Sequence, residues 1–407
     1  MKTQILFLTV ISVITILINL TSCSSDNQYP IEQRLQQTLD RKIQKYKVRG
    51  VSAAIIFTDQ KVWTGVSGIS HDAVLIKPDM LFAIGSITKN IVAALVLKLA
   101  EEGALSLSDP ISRWLPAYPH VDSTITIRQL LNHTSGIFMF WDNQKLWDDL
   151  IKYRDSVFTP EVVLTYLKEP HFAPGKGWRY SNTNYLLLAK IATRATNSTL
   201  SAEFRRRFWQ PLRLTNTYLS MEEEIPADQL AHVWGDNFEN DGSDRDLTYL
   251  PRASHESITY GSSGIFTTAE DLARWCHALF EGEVLQQQTM DEMLKFVDIG
   301  FGSKKRGYSL GVELFMKRIS SGEKAFGHSG ANIGTSAYMV HLPKPHVSVV
   351  VMVNSLNHEC SEAITKDLIT IVLRELNVMG IIPYFLFPLS GYIVMVSTII
   401  ILGSYPN

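Results

Sequence analysis

Apolar residues recur every four positions at Ile31, Leu35, Leu39 and Ile43, which predicts an amphipathic helix. Two β-branched runs follow, Val51–Thr58 and Lys61–Ser67, on either side of Asp59-Gln60, and predict a hairpin. The pattern then changes to helical periods broken by Gly, Pro and Asn: Ser86–Glu102, Ile127–Leu131, Glu161–Leu167, Asn184–Ala195 and Ala269–Phe280. Strand-like runs return late, at Ser309–Phe315, Ser336–Leu342 and Val347–Val353, before a last helix over Glu362–Glu375. Strands therefore sit at both ends of the body and helices in its middle. The economical packing is one antiparallel sheet of about five strands built from both ends, covered by the terminal helices, with an inserted helical lobe and a substrate cleft between the two. The expected class is α/β in the α+β sense, with residues 31–80 and 256–376 in the sheet lobe and 81–255 in an all-helical lobe.

The two ends do not share this pattern. Of the 78 charged residues, Lys2 alone falls within 1–22 and none within 376–407, so the remaining 77 give residues 23–375 an ordinary charged fraction near 22%. One Lys, a short apolar core from Ile5 to Leu20 and Thr21-Ser22 before Cys23 predict a removable export signal over 1–22. The segment before Cys23 resembles a bacterial lipobox, which implies cleavage there, lipidation of Cys23 and a polar tether over 23–30. A plain signal peptide or an uncleaved anchor, with an incidental cysteine, is the alternative. The apolar tail over 377–407 contains 24 uncharged residues from Gly380 to Gly403, interrupted by Pro383 and Pro388. That length can span a bilayer, or the tail can pack on the domain. The expected location is the cell envelope, anchored to the membrane, with the body outside the cytoplasm. A formal net charge of -2 argues against a nucleic-acid partner. Three cysteines, Cys23, Cys276 and Cys360, exclude a disulfide-built fold.

Three short motifs carry chemistry. Ser86 and Lys89 in Gly85-Ser86-Ile87-Thr88-Lys89 are three apart, on one helix face, where a desolvated lysine can take the serine proton. Tyr180-Ser181-Asn182 offers a phenol, which a neighbouring lysine could hold near its anionic form, and an amide that could contact substrate and help hold Lys89. His328-Ser329-Gly330 offers polar contacts for a substrate carboxylate and a glycine that lets a substrate backbone approach a strand. Each alone is equally a solvated helix face, a turn before a helix, or a β-turn.

Their order and spacing, 94 residues from 86 to 180 and 148 from 180 to 328, resemble the active-site pattern of the penicillin-recognising serine hydrolases. Tyr-x-Asn resembles the branch holding class C β-lactamases, R61-type D-alanyl-D-alanine carboxypeptidases and related esterases and D-aminopeptidases. Leu81-Phe82-Ala83-Ile84-Gly85, Leu131-Asn132-His133-Thr134-Ser135-Gly136, Gly261-Ser262-Ser263-Gly264 and Tyr308-Ser309-Leu310-Gly311 add to the match, which covers about residues 31–376. The resemblance implies the β-lactamase/DD-peptidase fold and an acyl-enzyme on Ser86. Lys89 and Tyr180 would share the proton transfers. The backbone N–H groups of Ser86 and Ala331 would form an oxyanion hole, a device supplying on the order of 3 kcal/mol per donor. Asn182 would hold the acyl amide, and His328, Ser329 and Gly330 would line the pocket for the substrate's carboxylate. No cofactor or metal is implied, and no metal-spaced cluster is evident in the sequence. The expected substrates are D-amino-acid peptides, or small esters and amides. Because His328 replaces the permanent cation of most β-lactamases of this branch, efficient β-lactam hydrolysis is not expected; the alternatives are a β-lactamase, or a penicillin-binding or sensor protein acylated without turnover.

Overall fold

The computed structural model describes residues 29–378, apart from 237–243, 249–252, 300–305, 317–318 and 320–321. The expected signal, Cys23, most of the tether and the 380–403 segment lie outside the described residues. Among the described residues no helix is long and apolar enough to cross a membrane.

Helix α1 (Ile31–Tyr46) buries Leu35, Leu39 and Ile43 on one stripe and stops at Lys47 in a left-handed conformation. The hairpin follows as β1 (Gly50–Ile56) and β2 (Val62–His71), then short β3 (Val74–Leu75) and β4 (Phe82–Ala83). A 3₁₀ turn (Gly85–Ile87) leads into α2 (Thr88–Glu101). The middle of the chain forms α3 (Ile127–Leu131), α4 (Gln144–Lys152), α5 (Pro160–Leu164), α6 (Asn182–Thr196), α7 (Leu200–Phe204) and α8 (Ala253–Ile258). It is not purely helical. β5 (Thr217–Leu219), β6 (Trp234–Gly235) and β7 (Arg245–Asp246) interrupt it; β5 pairs with β8 (Ile265–Thr267), which also pairs β4. Strands of two or three residues leave no alternation for a sequence pattern to show.

Helices α9 (Ala269–Phe280) and α10 (Gln287–Met293) precede β9 (Val297–Asp298), β10 (Arg306–Tyr308), β11 (Glu313–Met316), β12 (Lys324–Asn332), β13 (Thr335–Leu342), β14 (Val347–Val353) and α11 (His358–Val378). The main sheet is antiparallel throughout, in the order β3-β2-β1-β14-β13-β12-β11-β10-β9. Four of the expected strands correspond to β1, β2, β13 and β14; β12 is a fifth long strand beside them, and four short strands extend the edges to nine. Two details differ from the sequence pattern. The run Ser309–Phe315 begins in the turn after β10, in which Ser309 N–H donates to the Val312 carbonyl, and only its end lies in β11. Residues 324–332, to which the sequence pattern assigns no element, form β12.

β1, β13 and β14 are buried along their whole length, so the sheet is covered on both faces. One face packs on α1 and α11 through Leu39, Val349, Val351, Leu368 and Val372. The other packs on α9 and joins the core of the helical region through Ala54, Met339, Val350, Leu272 and Trp275. Cys276 and Cys360 are buried free thiols. The edge where β12 meets the helical region carries all three motifs.

Candidate active site

The nucleophile turn is fixed by backbone contacts. β4 pairs with β8, Ile84 N–H donates to the Ile265 carbonyl at 3.0 Å, and the Thr335 hydroxyl donates to the Ala83 carbonyl at 2.9 Å. Gly85 has φ +53 and touches β12: a Cβ there would lie 2.1 Å from the Ala331 oxygen. A Cβ on Gly330 would lie 2.0 Å from the Ile84 oxygen. Two glycines thus let two backbones meet where Cβ atoms would force them apart, which sets the Ala331 backbone beside Ser86.

Ser86 is half-buried in the 3₁₀ turn, and Lys89 follows in the first turn of α2 with no exposed surface. Lys89 Nζ lies 2.9 Å from Ser86 Oγ and donates to the Ser262 carbonyl at 2.8 Å. The aromatic rings of Tyr180 and Tyr185 stand 4.9 and 5.8 Å from the nitrogen. Burial drives the Lys89 pKa well below its ordinary value, against an opposing pull from the Glu313 carboxylate. Tyr180, just before α6, contacts Ser86, and burial raises its phenol well above the ordinary value. Burial thus disfavours the charged form of both the amine and the phenol. Burial works against the expected phenol held near its anionic form.

His133 backs the pair from the segment after α3. Its Nδ1 accepts from the Ser181 N–H at 3.2 Å and from the Asn184 amide at 3.0 Å, so the ring proton sits on Nε2. Burial and the nearby Lys89 keep its pKa well below the usual value. The ring lies 4.4 Å from Tyr180 and 4.7 Å from Tyr308. Asn182 opens α6 on the same side. Its amide oxygen is buried and has no hydrogen-bond partner among the described residues. Asn182 was expected to help hold Lys89; the Ser262 carbonyl holds it instead.

The third motif lies in β12, not in a turn. Gly330 pairs with Ala337, and Ala331 with Ser336. His328 is 1% exposed, which leaves it no direct face for a substrate carboxylate. Its Nε2 lies 3.0 Å from the Tyr308 hydroxyl and its Nδ1 2.6 Å from the Ser329 carbonyl. Burial lowers its pKa and outweighs the nearby Glu313 carboxylate, which pulls the other way. Ser329 donates its hydroxyl to Glu313 at 3.0 Å, and its N–H also points there at 3.3 Å. The motif expected to receive a substrate carboxylate already faces a carboxylate belonging to the protein.

The sequence reading missed Glu313, Tyr185 and the role of the Ser262 carbonyl. Glu313 is one of 40 acidic residues and stands in no motif. A backbone carbonyl leaves no trace in residue type. Of the aromatics in 138–147, Phe138 and Phe140 are core residues, while Trp141 and Trp147 are half-buried and stack at 4.6 Å. One potential metal-ligand group, which the sequence reading did not find, is assembled by the fold from His277, Glu281 and His341, away from this site.

Comparison with known proteins agrees with this geometry. The Beta-lactamase family profile matches residues 35–373. Penicillin-binding protein 4* of Bacillus subtilis is 25% identical over 280 residues, which is 65% of this chain and 58% of that protein. Esterase EstB of Burkholderia gladioli is 27% identical over 300 residues, 67% of this chain and 76% of that one. The chain thus spans little more than half the length of the penicillin-binding relative. Among solved structures, a D-stereospecific amidohydrolase from Streptomyces sp. superposes with a TM-score of 0.71 at 26% identity, over 80% of this chain and 96% of that one. The D-amino acid amidase of Ochrobactrum anthropi SV3 gives 0.74 at 23% identity, over 86% and 99%, a likeness of fold. With the family profile covering most of the chain, this chain belongs to the β-lactamase family.

Proposed function

We propose that this hydrolase cleaves small amides or esters whose acyl part carries a free amino group, of the D-amino-acid amide kind, through an acyl-Ser86 intermediate. The observation that carries the acyl-enzyme is the Lys89 Nζ to Ser86 Oγ contact of 2.9 Å in a dry pocket. The neutral Lys89 takes the Ser86 proton as Oγ attacks the substrate carbonyl. The carbonyl oxygen becomes negative and faces the Ser86 and Ala331 N–H groups. As the tetrahedral intermediate collapses, Tyr180 gives its proton to the departing amine or alkoxide and recovers one from Lys89. Water then attacks the acyl-serine, and the same groups run in reverse to release the acid and restore the Ser86 hydroxyl.

The substrate class rests on charge. Ser329 donates to Glu313, and the Asn182 amide oxygen is an orphaned acceptor. Two acceptors favour a substrate ammonium or N–H and oppose a carboxylate. A D-stereospecific amidohydrolase and a D-amino acid amidase among the structural neighbours support the same class. The test is a panel of D-amino-acid amides, their N-acetylated forms, p-nitrophenyl esters, N-acyl-D-Ala-D-Ala and nitrocefin, run on wild type and Ser86→Ala. The free-amine amides should turn over fastest, and Ser86→Ala should be inactive on all. Faster turnover of the carboxylate-bearing D-Ala-D-Ala peptide than of the amides would overturn the substrate class. We also propose the envelope location that the sequence of residues 1–30 suggests, testable by radiolabelled palmitate incorporation that Cys23→Ala abolishes.

The relatives named as penicillin-binding proteins favour a second reading, stable acylation by β-lactams without turnover. Mass spectrometry of the protein after brief exposure to penicillin decides it: a persistent adduct on Ser86 supports this reading, and its absence excludes it.

A further inference from the structure

We propose that His277, Glu281 and His341 form a structural Zn²⁺ site that ties the end of α9 to the β13–β14 hairpin. Each residue offers a ligand atom, and these atoms all lie within 4.8 Å of one another. His341 Nε2 is already 3.2 Å from Glu281 Oε1, close to the ~3.3 Å edge of a tetrahedron with bonds of ~2.0–2.1 Å. His277 and His341 are 3% and 1% exposed, and His277 Nε2 has no hydrogen-bond partner among the described residues.

The surroundings prepare both imidazoles as ligands. Ser348 Oγ lies 3.0 Å from His341 Nδ1 and 3.4 Å from His277 Nδ1. The same hydroxyl contacts the buried Cys276 thiol, to which it can give its one proton. It can then accept from both Nδ1–H groups, which leaves both Nε2 lone pairs free. Two lone pairs and a carboxylate gathered in one buried place repel one another unless a cation sits among them. A proton serves one pair, whereas a metal ion serves all three. Glu281 supplies the carboxylate. His346, exposed, bonds the same carboxylate at 2.9 Å and fixes its orientation. Glu281 caps the C-terminus of the twelve-residue α9, where the helix dipole also favours a cation. Two imidazoles and one carboxylate suit zinc, with water completing the shell. The position is structural: His341 lies five residues along β13 from Ser336, the partner of Ala331, or about 16 Å.

The test uses the full-length chain, stripped with chelator and titrated with ZnCl₂ or CoCl₂. The expected result is one tightly bound equivalent, a higher melting temperature with zinc, and the visible Co²⁺ bands of a four-coordinate nitrogen/oxygen site. Glu281→Gln and His277→Gln should lose the equivalent and the melting shift while keeping ester hydrolysis. Failure of the wild type to retain zinc would overturn the proposal. So would equal binding by both variants, or a Co²⁺ spectrum with thiolate charge-transfer bands, which would place the ion on cysteine. The Co²⁺ spectrum of the wild type keeps the test independent of how well either variant folds.

Discussion

Replacing Glu313 by Gln removes one negative charge from the substrate pocket with almost no change in shape. Ser329 Oγ lies 3.0 and 3.3 Å from the two carboxylate oxygens. A substrate carboxylate accepting from the same hydroxyl would stand roughly 4–5 Å from that of Glu313, given ordinary hydrogen-bond lengths. Two like charges at that distance repel by ~3–4 kcal/mol at an effective dielectric of 20 and by ~1 kcal/mol in water. The Glu313 side chain is 27% exposed, so the cost falls between these limits, ~1–3 kcal/mol. Glu313→Gln should therefore raise kcat/KM for carboxylate-bearing peptides over that for free-amine amides by ~5–150-fold. A second readout separates charge from general disturbance. Glu313 opposes the burial effect on Lys89, so its removal lowers the Lys89 pKa further. The unprotonated, active amine then persists to lower pH, and the acid limb of the rate profile moves down. The assay is kcat/KM against pH for one substrate of each kind. A ratio that moves less than twofold in a folded variant would falsify the charge argument, as would an acid limb that stays in place or moves up.

Four further outcomes follow from the same geometry. Lys89→Met should cost at least ~10²–10⁴-fold in kcat, the usual loss when a general base is removed, in single-turnover assays. The same substitution should raise the melting temperature at neutral pH. Burial lowers the folded pKa of Lys89, so the native state binds fewer protons than the unfolded chain between the folded pKa and the unfolded one. Stability then falls as pH drops through that window, and methionine removes the loss. Gly330→Ala should lose activity and stability together, because its Cβ would lie 2.0 Å from the Ile84 oxygen; an active, fully stable variant would contradict the close approach. Leu39→Ala, a fully buried position on α1, should cost ~2–5 kcal/mol in urea unfolding and leave kcat unchanged, since it packs on the sheet face away from Ser86.

What the sequence showed depended on whether a residue acts through its own period or through a distant partner. The stripe Leu35, Leu39 and Ile43 and the β1–β2 hairpin were legible because one face of each is buried and the period is undisturbed. β12 was not. Its strand pattern is interrupted by Gly327, which lies close against β13, and by His328, Ser329 and Gly330, which face the nucleophile turn and the pocket and offer no apolar face. Ser86, Lys89 and Tyr180 were identified because their spacing matched a family pattern, yet the burial that raises the Tyr180 pKa was not legible. The adjacency of Lys89 and Tyr180 is visible in a motif, but the depth of their burial is not. Glu313 and the His277–Glu281–His341 group depend on residues from separate elements, 16 and 60 or more positions apart, that only the folded sheet brings together.

Reactivity at Ser86 is consequently a property of how two parts of the chain close on one side chain. On an isolated helix Lys89 would be a hydrated cation with no lone pair, and Ser86 would be an ordinary hydroxyl. The lysine loses its water because the helical region supplies Tyr180, Tyr185 and His133, while β10 and β12 supply Tyr308 and His328. Among the described residues, the one close bond that remains besides Ser86 is the Ser262 carbonyl, an acceptor that orients the amine without adding a charge. Glu313 then acts on two opposing tasks. It pulls the Lys89 pKa up, which weakens the base at low pH, and it makes the pocket unfavourable for a carboxylate. A site built to bind a substrate carboxylate would have no reason to accept both effects. A site that binds an ammonium does, because the substrate's own charge offsets that of Glu313 once bound. Lys89 should therefore be a more effective base in the complex than in the free enzyme, and the acid limb of kcat should lie below that of kcat/KM for free-amine substrates but not for N-acetylated ones.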